Sequence, residues 1–297
     1  MLYTIGNIFA LINSRLVKKY VDPYNPLGLP ANTVRVRTND GQRPLNGFHT
    51  SYETATLVDG TTDVYDVYKS GSSFDYLLEG SYNVVEVLGA NTTGIRSMFS
   101  MLHATEITTV PLFDTSSVTN MSYMFTSCPL TYVPLFNTSN VTNMVAMFQQ
   151  CSSLTSVPLF NTSRVTSMKS MFYNCAALES VPLFDTSSVT NMYQMFEGCS
   201  SLTSVPLFNT SSVTDMYSMF FGCRSLTSVP LFDTLSVTNM SYMLYECVSV
   251  QSGALALYMQ ASTQAQPPTN HSQTFYNCGI NTPQGAAELA QIPSDWK

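Results

Sequence analysis

The sequence predicts an α/β solenoid: short parallel strands alternating with short α or 3-10 turns, led by a helix and a small N-terminal capping domain. Three observations predict it. The tetrapeptide Val-Pro-Leu-Phe starts at Val110, Val133, Val157, Val181, Val205 and Val229, in steps of 23, 24, 24, 24 and 24 residues. Each copy carries two hydrophobic periodicities, one strand-like and one helix-like. Imperfect copies flank the six good ones, as end coils must when they shield a stacked core.

The unit Cys151–Asn174 shows the division. Leu154, Val157 and Leu159 have the spacing of a short strand with its apolar side chains inward. Asn161-Thr162-Ser163 is turn chemistry, with Ser163 placed as a cap. Val165, Met168, Met171, Phe172 and Cys175 then follow at steps of 3, 3, 1 and 3, which fits one or two turns of helix. The Pro column (Pro111, Pro134, Pro158, Pro182, Pro206, Pro230) removes one ladder donor per copy, so the strand is expected to be short, about Leu-Thr-Ser-Val. A weaker copy aligns Asn91–Leu102 with the repeats, and Cys247 to Cys278 is one period plus an insertion.

Residues 2–21 read as a helix, because Leu2, Ile5, Phe9, Ile12 and Leu16 follow a 3-4-3-4 spacing. It either docks on its own chain or anchors the protein to a partner, virion proteins among them, or makes a homo-oligomer. Asp22–Pro30 holds three prolines and reads as a stiff linker. The expected organisation is 1–30 helix and linker, 31–81 small α+β capping domain, 82–278 solenoid and 279–297 C-terminal cap. Within the capping domain, Thr33–Thr38 alternates as a strand and Ser72–Glu79 reads as a short helix stopped by Gly80. Ala254–Gln260 reads as a helix, and another is expected to start at Thr282-Pro283.

Composition excludes several functions. Charged residues are 10% of the chain and the net charge is −7 with only 12 Lys+Arg, which argues against a nucleic-acid partner. No apolar run is long enough for a membrane span. No basic n-region precedes the apolar N-terminus and no early Cys offers a lipobox, so neither a signal peptide nor a lipid anchor is expected. His49, His103 and His271 lie in different regions, and no catalytic or phosphate-binding signature appears. No catalytic residue, metal site or cofactor is expected, and the protein is read as not an enzyme.

Six of seven cysteines form one column, Cys128 to Cys247, without CxxC pairs; a reduced, buried thiol ladder is expected. The Asn/Asp column (Asn91, Asp114, Asn137, Asn161, Asp185, Asn209, Asp233) suits a shared acceptor for the turn backbone better than a calcium site.

Cys151–Val157 and Asp185–Phe196 carry motifs that resemble the BspA-type leucine-rich-repeat family, including repeats of mycoplasma surface proteins. The resemblance covers about residues 82–278. It implies a leucine-rich-repeat solenoid and a role in surface adhesion. The leading domain and the C-terminal end also look like those of chains from gut bacteria and their phages, which implies a virion component of tail or fibre type. The alternatives are a bacterial cell-surface adhesin and a structural spacer or decoration protein.

Comparing repeats with one another locates a candidate surface. Core columns are nearly constant, whereas the helical half holds columns that change from copy to copy. Lys169, Tyr173, Tyr193, Gln194, Glu197, Tyr217, Phe221, Tyr242 and Tyr245 occupy them. This composition suits binding to a bacterial surface glycan or protein.

Overall fold

The structure is a computed structural model and describes residues 8–12, 15–19, 24–44 and 52–297, the first two segments by their backbone. Its strands are β1 (Ile8–Ile12), β2 (Arg15–Lys19), β3 (Thr33–Thr38), β4 (Thr54–Leu57), β5 (Val64–Tyr68) and β6 (Val84–Asn91). Its helices are α1 (Ala254–Thr263) and α2 (Pro283–Gln291), followed by a 3-10 turn at Ser294–Trp296.

The parallel-strand leucine-rich-repeat solenoid is not what forms. The main sheet has four strands in the order β4-β5-β3-β6, every pair antiparallel. Between β6 and α1 there is neither a strand nor an α or 3-10 helix. Successive repeats meet in one-residue parallel bridges, such as Ser167↔Asn191 and Asn191↔Asp215.

Two physical reasons account for the correction. In the Leu-Thr-Ser-Val half, backbone bonds between coils are few: Glu179 N–H donates to Thr155 O and Thr227 N–H to Thr203 O, and two bonds, Gln251 N–H to Thr227 O and Val229 N–H to Ser252 O, join the last pair. Proline removes one donor, and the Phe160 N–H turns back to Pro158 O at 2.9 Å in a three-residue turn. Too few ladder bonds remain for a strand. In the other half, Ser170 and Asn174 have φ of 54° and 56°, in the left-handed region. Met171 N–H bonds Met168 O and Cys175 N–H bonds Phe172 O, so two turns with positive φ at their third residue replace the helix.

The intervening donors tie the coils together. Met168, Ser170, Phe172 and Asn174 donate to Asn191, Tyr193, Met195 and Glu197 of the next repeat at 2.7–3.0 Å. Side chains add to these bonds. The Asn161 carboxamide oxygen accepts from Ser163 N–H, and the Thr162 hydroxyl donates to Asp185 O. The Asn/Asp column is therefore the turn acceptor that its composition suggests.

The same pattern begins earlier than the repeats announce. Phe74, Tyr76 and Leu78 donate to Ser97, Phe99 and Met101, and Tyr76 has φ 58°. The short helix expected at Ser72–Glu79 is thus a further pair of turns. The leading helix is corrected as well: Ile8–Ile12 and Arg15–Lys19 pair as an antiparallel hairpin with Phe9 opposite Lys18 and Leu11 opposite Leu16. Ile12 and Leu16 are strand residues, and Leu2 and Ile5 lie outside the described residues.

The core runs through all the coils. Val165, Met168, Met171, Phe172, Cys175, Leu178 and their equivalents are buried. Two Phe columns interleave: Phe172 lies 5.7 Å from Phe148, 5.5 Å from Phe196 and 6.3 Å from Phe184, ring centre to ring centre. All seven cysteines are buried and free. The Cys175 thiol donates to Phe148 O at 3.0 Å, and Cys151, Cys199, Cys223 and Cys247 repeat that bond.

One column inverts the expectation. Phe160 is buried, whereas Leu159 is exposed. The tight turn at Pro158–Phe160 breaks the alternation a strand would have kept.

The ends are closed by the N-terminal sheet and the C-terminal helices. Arg35 and Asp66 face each other across β3 and β5 and form two hydrogen bonds of 2.6 and 2.8 Å. Helix α2 starts where sequence places it: Pro283 opens it, and the Thr282 hydroxyl accepts from Gly285 N–H at 3.0 Å. Trp296 closes the far end against His271 and Tyr258.

Candidate functional site

The turn halves place three variable columns side by side. Residue 193 and its equivalents follow an Asn, Asp or Ser whose side chain accepts a backbone bond; Asn191 Oδ1 receives Tyr193 N–H at 2.9 Å and Asp215 Oδ1 receives Tyr217 N–H at 3.0 Å. Residues 194 and 242 sit at left-handed positions, with φ of 54° and 60°. These bonds and dihedrals fix the direction in which each outer side chain leaves the coil.

The outcome is a continuous aromatic face. Lys169 Nζ lies 4.8 Å above the Tyr193 ring. Tyr193 stacks on Tyr217 at 5.0 Å and 9°. Tyr217 meets Tyr242 edge-on at 5.6 Å, and Tyr242 leans on Tyr245 at 5.8 Å. Phe221 stacks on Tyr245 at 4.7 Å and 3°, and Tyr245 stacks on Tyr276 at 4.7 Å. These rings are half-buried, apart from Tyr276, which is exposed, as is Lys169.

The remaining candidates join the same patch. Burial pushes the Tyr193 hydroxyl up, with Tyr217, Glu197, Asp215 and Tyr173 adding to the shift. Burial also raises the Glu197 carboxyl, opposed by a hydrogen bond from Gln194. One Glu197 oxygen is buried without a hydrogen-bond partner. All nine sequence candidates therefore fall within one surface.

Sequence reasoning missed Tyr276. It stands in the last imperfect copy, where Thr274-Phe275-Tyr276 repeats Met171-Phe172-Tyr173, so the alignment itself carried the signal. It also missed a second aromatic run, Tyr76–Phe99–Tyr123, with ring centres 5.1 and 5.4 Å apart.

Chemically, the face offers flat rings, hydroxyls, the Lys169 cation and the Glu197 carboxyl with its Gln194 partner. Such a surface covers large contact area with little side-chain entropy to lose. Among the described residues, no group of three or more His, Cys, Asp or Glu side chains could hold a metal ion. No helix among them is long and apolar enough to cross a membrane.

Fold and surface together define a protein of stacked, turn-built repeats that displays one variable face. The sequence profile of the family described as "Mycoplasma protein of unknown function, DUF285" matches residues 93–204 and 176–281. Those matches span more than half of the chain, which belongs to this family. No curated protein and no solved structure matches it.

Proposed function

We propose that this chain is a non-enzymatic adhesin or host-recognition protein that binds a bacterial surface glycan or protein through its aromatic face. The observation that carries the reading is the run of rings from Tyr193 to Tyr276 on one surface, at positions that vary while the packing columns stay constant. Constant columns keep the coils stacked, so variation there costs the fold little and changes what the face touches. Membership of a repeat family fits a display role. The proposed setting is a virion of tail or fibre type, with the bacterial cell surface as the other place where such a face would work.

The test is binding of labelled protein to isolated bacterial envelopes. Combining Tyr193→Ala, Tyr217→Ala and Phe221→Ala is expected to weaken binding at least about tenfold, the scale of an aromatic hot spot. Full binding by the triple variant refutes the aromatic face as the contact. Absence of binding by the unmodified protein to every envelope favours a structural spacer instead.

A further inference from the structure

The stacking that aligns the rings also closes their faces. Tyr193 has Lys169 Nζ, from the coil before, 4.8 Å from its ring centre. On its other side lies Tyr217, from the coil after, 5.0 Å away and tilted by only 9°. Tyr245 lies between Phe221 and Tyr276, both 4.7 Å away and at 3° and 15° to it. These are the separations of aromatic pairs already in contact. A sugar or a second aromatic group therefore finds no free face on Tyr193 or Tyr245. What these rungs turn outward is ring edge and hydroxyl.

The hydroxyls themselves are unused by the fold. In the capping domain, Tyr52 donates its hydroxyl proton to Pro44 O and Tyr65 to Gly41 O. Among the described residues, none hydrogen-bonds the phenol oxygen of Tyr193, Tyr217, Tyr242, Tyr245 or Tyr276. The first four of these residues are half-buried, yet their phenol oxygens reach solvent. We infer that the aromatic face binds a hydroxyl-rich chain, a glycan, edge-on: tyrosine hydroxyls of successive coils hydrogen-bond it, and no sugar stacks on Tyr193 or Tyr245. This rests on the reading above that the aromatic face is the contact surface, and it names the ligand class and the atoms that recognise it.

Three features favour a glycan. Each phenol both donates and accepts a hydrogen bond, and sugar hydroxyls do the same, so either partner can take either role. Neighbouring rungs are 4.7 to 5.0 Å apart, close to the advance of one sugar along an extended polysaccharide. The rings are held by their neighbours before any ligand arrives, so the hydroxyls lose little freedom on binding. Gln194 and Lys169 supply further donors beside the ladder. A protein partner fits less well. Its binding energy comes chiefly from desolvated anchors packed into pockets or against rings, and the faces of Tyr193 and Tyr245 are already taken.

The test removes hydroxyls and keeps rings. Tyr193→Phe, Tyr217→Phe and Tyr245→Phe are combined in the full chain. Melting is expected to be unchanged, because every stack survives, whereas binding to isolated bacterial envelopes falls at least about tenfold, the scale of a few lost hydrogen bonds. Envelopes pretreated with protease are expected to bind as before. Envelopes pretreated with periodate, which cleaves the vicinal diols of sugars, are expected to bind no longer. Full binding by the phenylalanine variant, where the variant combining Tyr193→Ala, Tyr217→Ala and Phe221→Ala has lost it, overturns the inference and leaves the aromatic face standing as the contact. Binding that protease abolishes and periodate spares overturns it too, in favour of a protein ligand. Full binding by the alanine variant marks the failure of the aromatic-face reading itself, and the inference falls with it.

Discussion

Phe220 and Phe221 are neighbours in sequence with opposite surroundings, which makes them a sharp test of the register of the coils. Phe220 is fully buried, its ring 5.5 Å from Phe196 and 6.0 Å from Phe232. Phe→Ala at such a site costs about 3–5 kcal/mol, partly transfer and partly the cavity left between rings that cannot close up. Phe221 is half-buried and stacks on Tyr245 alone. Its loss removes one aromatic pair, about 0.5–1.5 kcal/mol, and a fraction of the area term. The assay is urea unfolding followed by fluorescence of Trp296, the single tryptophan, packed where the stack ends. Phe220→Ala is expected to lower the midpoint at least about twice as far as Phe221→Ala. Equal shifts, or a reversed order, refute the register and with it the aromatic face.

Ala146 separates turns from helix: its φ is 53°, so Ala146→Gly is expected to raise stability by about 0.5–1 kcal/mol, whereas in a helix interior the same change costs a similar amount. Thiol titration in denaturant without reductant should find seven thiols, and native alkylation should wait for unfolding, since all seven are free and buried. The same burial gives an alkaline limit. Burial pushes Cys128 up to about 11 and Cys175 and Cys278 up to about 12, from 9.0. Below pH 9 both folded and unfolded thiols are protonated; above it only the unfolded chain ionises, so stability is expected to fall from pH 9 to about 12, read as a falling melting temperature.

The packing columns were legible because they must be constant: Met168, Met171, Phe172 and Cys175 recur at every step and are buried. The candidate face was legible by the converse, variation between copies. The backbone between those columns was not. Tyr123, Ala146, Ser170, Gln194, Ser218 and Tyr242 all adopt positive φ without the glycine or asparagine that would signal it. Stacking overrides their local preference, because each coil's hydrogen bonds to the next are satisfied only in that conformation. The second left-handed column did carry its signal, in Asn174, Gly198, Gly222 and Asn277. Leu159 misled because alternation assumes an extended chain, and Pro158 ends it. At the N-terminus, a 3-4 spacing of apolar residues competed with the β-branched and aromatic content of Ile-Phe-Ala-Leu-Ile, and strand propensity prevailed.

The bonds joining one coil to the next are nearly the same at every junction, because they use backbone groups and the constant columns. A unit such as Cys151–Asn174 meets its two neighbours through interchangeable ends. Removing or duplicating one 24-residue unit in register keeps the constant columns and the backbone bonds of the turn halves facing their usual partners, and lengthens or shortens the molecule by a single layer. Length and surface pattern are thereby uncoupled from folding: the number of layers sets how far the display reaches, and the order of layers sets which rings stand side by side.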